Sequence, residues 1–262
     1  MQHAISADGT RIACQALGTG PTVVIVGGAF STAEAATPLA EALAAAGYRA
    51  VTFDRRARGN SGDTAPYAPT REVEDLTAVL DVENAGAAVL GHSSGAMLVL
   101  FAASMGLPVA HLFLSEPPFR FGIDEPADNL PTRLQALVDH DQPDQAVTLF
   151  QREAVGLPEE MIEQIRISPM FDTLLPLAQS TVYDALLSQR VSTPSQLMLD
   201  VEVPVTILRG EPTYPVLVCA AERLVELMPQ AELVIVPESR DHRLDPEGTV
   251  REVSKRFGSN AR

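Results

Sequence analysis

Six short, nearly uninterrupted apolar runs recur along the 262-residue chain: TVVIV (22–26), YRAVTF (48–53), AAVL (87–90), AHLFL (110–114), VPVTIL (203–208) and AELVIV (231–236). Runs without polar alternation suit strands covered on both faces, which is the situation of a parallel sheet. Helix-patterned segments separate them, at 33–46 (stopped by Gly47), 70–81, 94–105, 215–228 and 246–257. Before the first run, QHAIS and RIACQAL flank Asp8-Gly9, the pattern of a hairpin. Strand and helix in alternation predict an α/β fold, a doubly wound, mostly parallel sheet.

One interval breaks the rhythm. From 117 to about 199 the pattern is helical without a convincing strand, and prolines fall at 126, 131, 143, 158, 169, 176 and 194. An unstructured loop of that length is improbable in a compact domain. The expected organisation is therefore a core domain formed by residues 1–119 and 200–262, with residues 120–199 inserted as a helical cap, or lid. The cap is rich in apolar side chains, Leu130, Leu134, Phe150, Met161, Phe171 and Leu174 among them. A pocket between cap and core should then be mostly apolar with few polar anchors, favouring apolar ligands over charged ones or sugars.

Charge narrows the partners. With 19 Lys and Arg against 34 Asp and Glu, a formal net charge of −15 repels a phosphate backbone or an anionic membrane surface. The expected partner is a small-molecule substrate, with no nucleic acid and no membrane. MQHAISADGTR shows neither a basic segment followed by an apolar stretch nor a small-residue cleavage site, so the cytoplasm is the expected location. Cys14 and Cys219 lack CxxC spacing and are expected to be buried and inert. GTGPTVV (18–24) lacks the third glycine of a dinucleotide loop and precedes its strand where such a loop follows one. With no P-loop, HExxH or metal-spaced Cys/His cluster either, no cofactor or metal is implied.

Gly91-His92-Ser93-Ser94-Gly95 fits G-x-S-x-G between a strand and a helix. A nucleophile on so sharp a turn needs small residues two before and two after it. Ser93 has Gly91 and Gly95 there, whereas Ser94 has His92 and Ala96. Ser93 is thus the candidate nucleophile, and the Ser94 N–H, at a helix N-terminus, a candidate oxyanion donor. A plain serine-capped helix is the alternative reading. Serine needs a base. His242 follows the last strand, on the edge where parallel strands end, while His3, His92, His111 and His140 fall at strand starts, in the elbow or in the cap.

With GHSSG, VIVGGAF, FDRRARGNSGDT, LFLSEPPF and ESRDHRLDP, nearly the whole chain resembles the α/β-hydrolase fold superfamily, in particular small capped members with Glu-Pro-Pro after the sixth strand. The resemblance implies a Ser93-acid-His242 triad and a second oxyanion donor from Gly27-Gly28-Ala29-Phe30, by position the N–H of Ala29. Gly27 stands where relatives commonly carry histidine, a replacement expected to loosen how that loop is held. Many relatives place the acid after the seventh strand as G-x-x-D, where this chain has Thr213. Others carry it after the sixth, which points to Glu116. Glu211 is the alternative acid, and a water-mediated or absent acid stays open. Asp54, Arg55, Arg58, Gly59 and Ser61 match a family stretch read as scaffold around the site. The reading is a serine hydrolase cleaving an ester, lactone or related acyl bond of a small, largely apolar substrate. Alternatives are a non-hydrolytic lyase or cyclase of the same fold and a receptor-like member that binds without turnover.

Overall fold

The computed structural model describes residues 2–83 and 86–258. A hairpin opens the chain, β1 (Gln2–Ile5) and β2 (Arg11–Leu17), with Gly9 at φ +85° in its turn. Then come β3 (Thr22–Val26), a 3₁₀ turn at Ala33–Ala36, α1 (Thr37–Ala45), β4 (Arg49–Phe53), α2 (Pro69–Glu83), β5 (Ala88–His92), α3 (Ser94–Ser104) and β6 (His111–Ser115). After β6 no strand occurs among the described residues until β7 (Val205–Gly210). The interval holds α4 (Leu130–Asp139), α5 (Pro143–Phe150), a π-helical turn (Gln151–Val155), α6 (Glu159–Arg166), α7 (Met170–Leu174), α8 (Ala178–Val191) and α9 (Gln196–Leu199). The chain closes with α10 (Pro215–Leu227), β8 (Ala231–Val236) and α11 (Pro246–Arg256).

The eight strands form one sheet in the order β1-β2-β4-β3-β5-β6-β7-β8. Only β1 and β2 run antiparallel to their neighbours, so the sheet is doubly wound and mostly parallel. Its apolar runs are sorted by the two-residue period of a strand. In β3, Val24 and Val26 join the core that packs against α2, α3 and α10, while Val23 and Ile25 join the core shared with α1 and α11. The middle helix α3 is buried from Ser94 to Ala102, as its apolar composition demands. An Asp245 carboxylate accepting from Gly248 N (2.7 Å) caps α11.

α8 ties the inserted helices to the core. Its Leu187 and Val191 belong to the main core, whereas Ala178, Val182 and Tyr183 join Leu130, Leu134 and Phe150 in a separate cluster. One sequence expectation needs correcting. Cys14 is buried, but Cys219 is exposed, because α10 packs through Leu217, Ala220, Ala221 and Leu224 and position 219 lies off that stripe. Among the described residues no helix is long and apolar enough to cross a membrane.

Parallel strands finish on one edge. Val26, His92, Ser115 and Gly210, the last residues of four neighbouring strands, therefore deliver the loops after them to one place.

Candidate active site

Ser93 occupies the turn from β5 to α3 with φ 54° and ψ −126°, a conformation an L-residue tolerates only when its surroundings enforce it. Flanking glycines make the turn possible. A Cβ on Gly91 would stand 2.5 Å from the Gly95 carbonyl oxygen, and one on Gly95 would stand 2.3 Å from that of Val26. Gly28 approaches from the β3 loop, where a Cβ would meet the Ser93 Cβ at 2.7 Å. Ser93 N–H donates to Ser115 O (2.9 Å), fixing the elbow to β6.

His242 and Glu116 meet across 126 residues, with His242 Nδ1 2.6 Å from Glu116 Oε2. Glu116 leaves β6 at φ 47° and His242 lies in the loop after β8 at φ 63°. The other carboxylate oxygen, Oε1, accepts from Gly210 N at 3.0 Å. Burial of Glu116 opposes its ionisation, yet the hydrogen bonds to His242 and from Gly210 N–H outweigh it and hold its pKa below the ordinary carboxylate value. Glu211 is exposed and makes no hydrogen bond to His242. Ser93 and His242 face one cavity of about 440 Å³ between the sheet edge and the inserted helices.

Ala29 and Ser94 also line that cavity. Ser94 N–H lies in the first turn of α3, where helical amides lack an intrahelical partner. The Ser94 hydroxyl turns away and donates to Asp184 of α8 at 2.8 Å. That carboxylate also accepts from Arg55 (3.0 Å) and Arg58 (2.6 Å), and Arg58 donates in turn to the Gly28 carbonyl at 2.6 Å. Arg55 forks onto Glu72 (2.5 and 2.8 Å), which also accepts from Tyr67 (2.7 Å). Two guanidinium groups and two carboxylates thus balance each other while nearly inaccessible to solvent. Arg58, donating to the carbonyls of Gly28 and Ser31 (3.3 Å), and Arg55, donating to that of Gly27 (3.4 Å), hold the loop after β3, so the glycine at position 27 does not leave it loose.

Sequence reasoning missed Asp184, whose helical neighbours give no signal of a polar contact to the core. It also missed Ala154, Val155, Gly156, Leu157 and Pro158, which line the cavity from the π-helical turn and the loop after it. Of the apolar cap residues singled out above, Phe150 and Met161 line the cavity, whereas Leu130, Leu134, Phe171 and Leu174 pack among themselves.

His92, inside the elbow, sits with its ring 4.6 Å from that of His242. Burial, and then the proximity of His242, push its pKa down to about 3. Burial, and then Arg256, push that of His111 down to about 4, where its ring stacks on Phe113. Both rings are neutral in the native protein at pH 5 to 6, whereas in the unfolded chain they protonate near pH 6.5. The unfolded state then binds about two more protons, so stability falls as the pH drops below 6.5. Urea unfolding should show the free energy falling by about 2.5 kcal/mol per pH unit between pH 6 and 5. A flat profile over that unit would contradict the two neutral rings.

No curated protein matches the chain in sequence. An alpha/beta hydrolase from Sphaerobacter thermophilus is 36% identical over 97% of this chain and 99% of its own, with a TM-score of 0.89. More distant similarity, in fold alone, joins it to an esterase from Thermogutta terrifontis (18% identity, 97% and 96% covered, TM-score 0.74) and to the enol-lactonase from Burkholderia xenovorans (16%, 97% and 98%, TM-score 0.70). Residues 23–252 match the alpha/beta hydrolase family. Sheet order, strained elbow and sequence match converge, and the chain belongs to the alpha/beta hydrolase family.

Proposed function

We propose that the protein is a metal-free serine hydrolase acting on an ester, lactone or related acyl bond of a small, largely apolar substrate, with Ser93, His242 and Glu116 as its triad. The observation that carries this reading is the 2.6 Å contact from His242 Nδ1 to the buried Glu116, in the same cavity as the strained Ser93. A proton on Nδ1, directed at Glu116, leaves the Nε2 lone pair free to act as base. Ser93 Oγ then attacks the acyl carbon as Nε2 takes its proton. The carbonyl electrons move onto oxygen, and the bond to the leaving oxygen breaks as His242 returns the proton to it. Water, activated by the same Nε2, attacks the acyl-enzyme and releases the acid, restoring Ser93.

Charge on the tetrahedral oxygen is met by the N–H groups of Ala29 and Ser94. Arg58 directs the first of them. A trans peptide is planar, with its C=O and N–H pointing opposite ways, so a cation 2.6 Å from Gly28 O leaves the Ala29 N–H turned toward the cavity. In this reading residues 120–199 act as a lid whose Asp184 locks Arg58 in that orientation.

Incubation with a fluorophosphonate probe tests the proposal without knowledge of the substrate. Intact-mass spectrometry should show a single adduct, and peptide mapping should find it on Ser93; an unlabelled protein would reject the activated serine. Apolar lining makes a second prediction, read from a p-nitrophenyl ester series from acetate to decanoate. Each added methylene contributes about 0.8 kcal/mol of burial, about fourfold in kcat/KM, until the cavity is full. A series that is flat or falls beyond acetate would refute an apolar acyl pocket.

A further inference from the structure

Among the described residues, the cavity lining includes one cation without an anionic partner, Arg120. That lining includes four charged or titratable groups besides the serines: His242, paired with Glu116; Asp184, neutralised by Arg55 and Arg58; the Tyr214 hydroxyl; and Arg120. Arg120 follows Glu116 by four residues, is half-buried, and donates to two main-chain carbonyls, Ala154 O at 2.9 Å and Asp124 O at 3.3 Å. No carboxylate among the described residues lies within ion-pair distance of it.

Composition makes that vacancy notable, because acidic residues outnumber basic ones by 34 to 19. Nearby Glu125 is committed elsewhere, accepting from the Ser192 hydroxyl and from Gly122 N. A guanidinium carries five N–H donors in a planar fork suited to bidentate capture of a carboxylate. Two carbonyls leave three of those donors free, and the carbonyls hold the head in place, so little side-chain freedom is lost when an anion arrives. Around it the walls are apolar, from Phe150, Ala154, Leu157 and Met161, and a charge-assisted hydrogen bond among such walls is stronger than one in water.

Resting on the serine-hydrolase reading of this cavity, we infer that Arg120 is a specificity-determining residue that binds a carboxylate of the substrate, so that the preferred substrates are esters or lactones joining an apolar chain to a free carboxylate. The sequence-based expectation of largely apolar substrates, favoured over charged ones, changes accordingly: most of the cavity takes the chain, and Arg120 takes its charged end.

Two matched pairs test this. On the acyl side, p-nitrophenyl hydrogen adipate is compared with p-nitrophenyl hexanoate; on the alcohol side, 4-acetoxybutanoate is compared with butyl acetate by pH titration. In at least one pair the carboxylate ester should be favoured about ten- to a hundredfold in kcat/KM, mainly through KM. Arg120→Gln should bring that ratio close to one, and Arg120→Lys should keep part of it. A wild-type ratio at or below one in both pairs, or an unchanged ratio in Arg120→Gln, overturns the inference. If the Gln variant does not fold, competitive inhibition of the wild type decides: hexanoate must inhibit at least tenfold more tightly than its uncharged isostere hexanamide, and equal inhibition overturns the inference. Failure of the hydrolase reading looks different, since no ester is then turned over and no probe bound. Calorimetry with adipate on the wild type and on Arg120→Lys still decides the role of Arg120 in that case, tighter binding to the wild type supporting it and equal or absent binding overturning it.

Discussion

Ser93→Ala should abolish fluorophosphonate labelling and lower kcat on p-nitrophenyl esters by about four to six orders of magnitude. In the proposed mechanism Oγ forms the acyl-enzyme, so its removal leaves only the proposed oxyanion donors and substrate binding. The fold should survive. Alanine keeps the Cβ that already tolerates φ 54°, and the elbow is fixed through main-chain contacts, Ser93 N–H to Ser115 O among them. Circular dichroism should therefore match the wild type while activity is lost. Labelling that persists in the mutant would move the nucleophile elsewhere, with Ser94 next in line. The Ser94 hydroxyl, however, donates to Asp184 and accepts from Arg55 at 3.1 Å, and the Asp184 carboxylate, paired with Arg55 and Arg58, is a poor base for activating it.

The second large effect concerns the acid. Glu116→Gln should lower kcat by about two to four orders of magnitude with KM nearly unchanged, because an amide cannot stabilise the imidazolium and can invert the tautomer that His242 needs. Glu211→Gln should change kcat by less than about twofold, since that residue is exposed and the carboxylate paired with His242 is that of Glu116. Steady-state kinetics of the two variants side by side provide the check. Comparable losses, or a larger loss in Glu211→Gln, would transfer the role of acid. Both substitutions are isosteric, so a difference between them cannot be assigned to packing.

Thr213 explains why the acid could not be settled from sequence. Residues after β6 and after β7 are far apart in the chain, but those strands pair in parallel with Ser115 opposite Leu208. Their C-terminal loops therefore converge, and Glu116 Oε1 accepts from the N–H of Gly210, the last residue of β7 and three positions before Thr213. Either loop can present a carboxylate to one histidine. Only the three-dimensional neighbourhood, 2.6 Å from Nδ1 to Oε2, distinguishes the one that does.

What the sequence determined by itself was whatever chain-local physics controls. Apolar runs that no amphipathic period explains had to be doubly covered strands, and the alternation with helices allowed little but a parallel, doubly wound sheet. Gly91 and Gly95 marked Ser93 because the steric demand of the turn falls on residues two positions away, well within reach of a motif. Tertiary structure alone decided which faces meet. A helical stripe announces that a side will be buried but not against what, so Leu130 and Leu134 went to the interior of the cap while Phe150 and Met161 reached the cavity. Asp184 gave no sign in its own segment of the buried arginines it would neutralise, and Arg120 gave none that it would be left without a carboxylate, because ion pairing depends on contacts between distant elements, which no local pattern encodes.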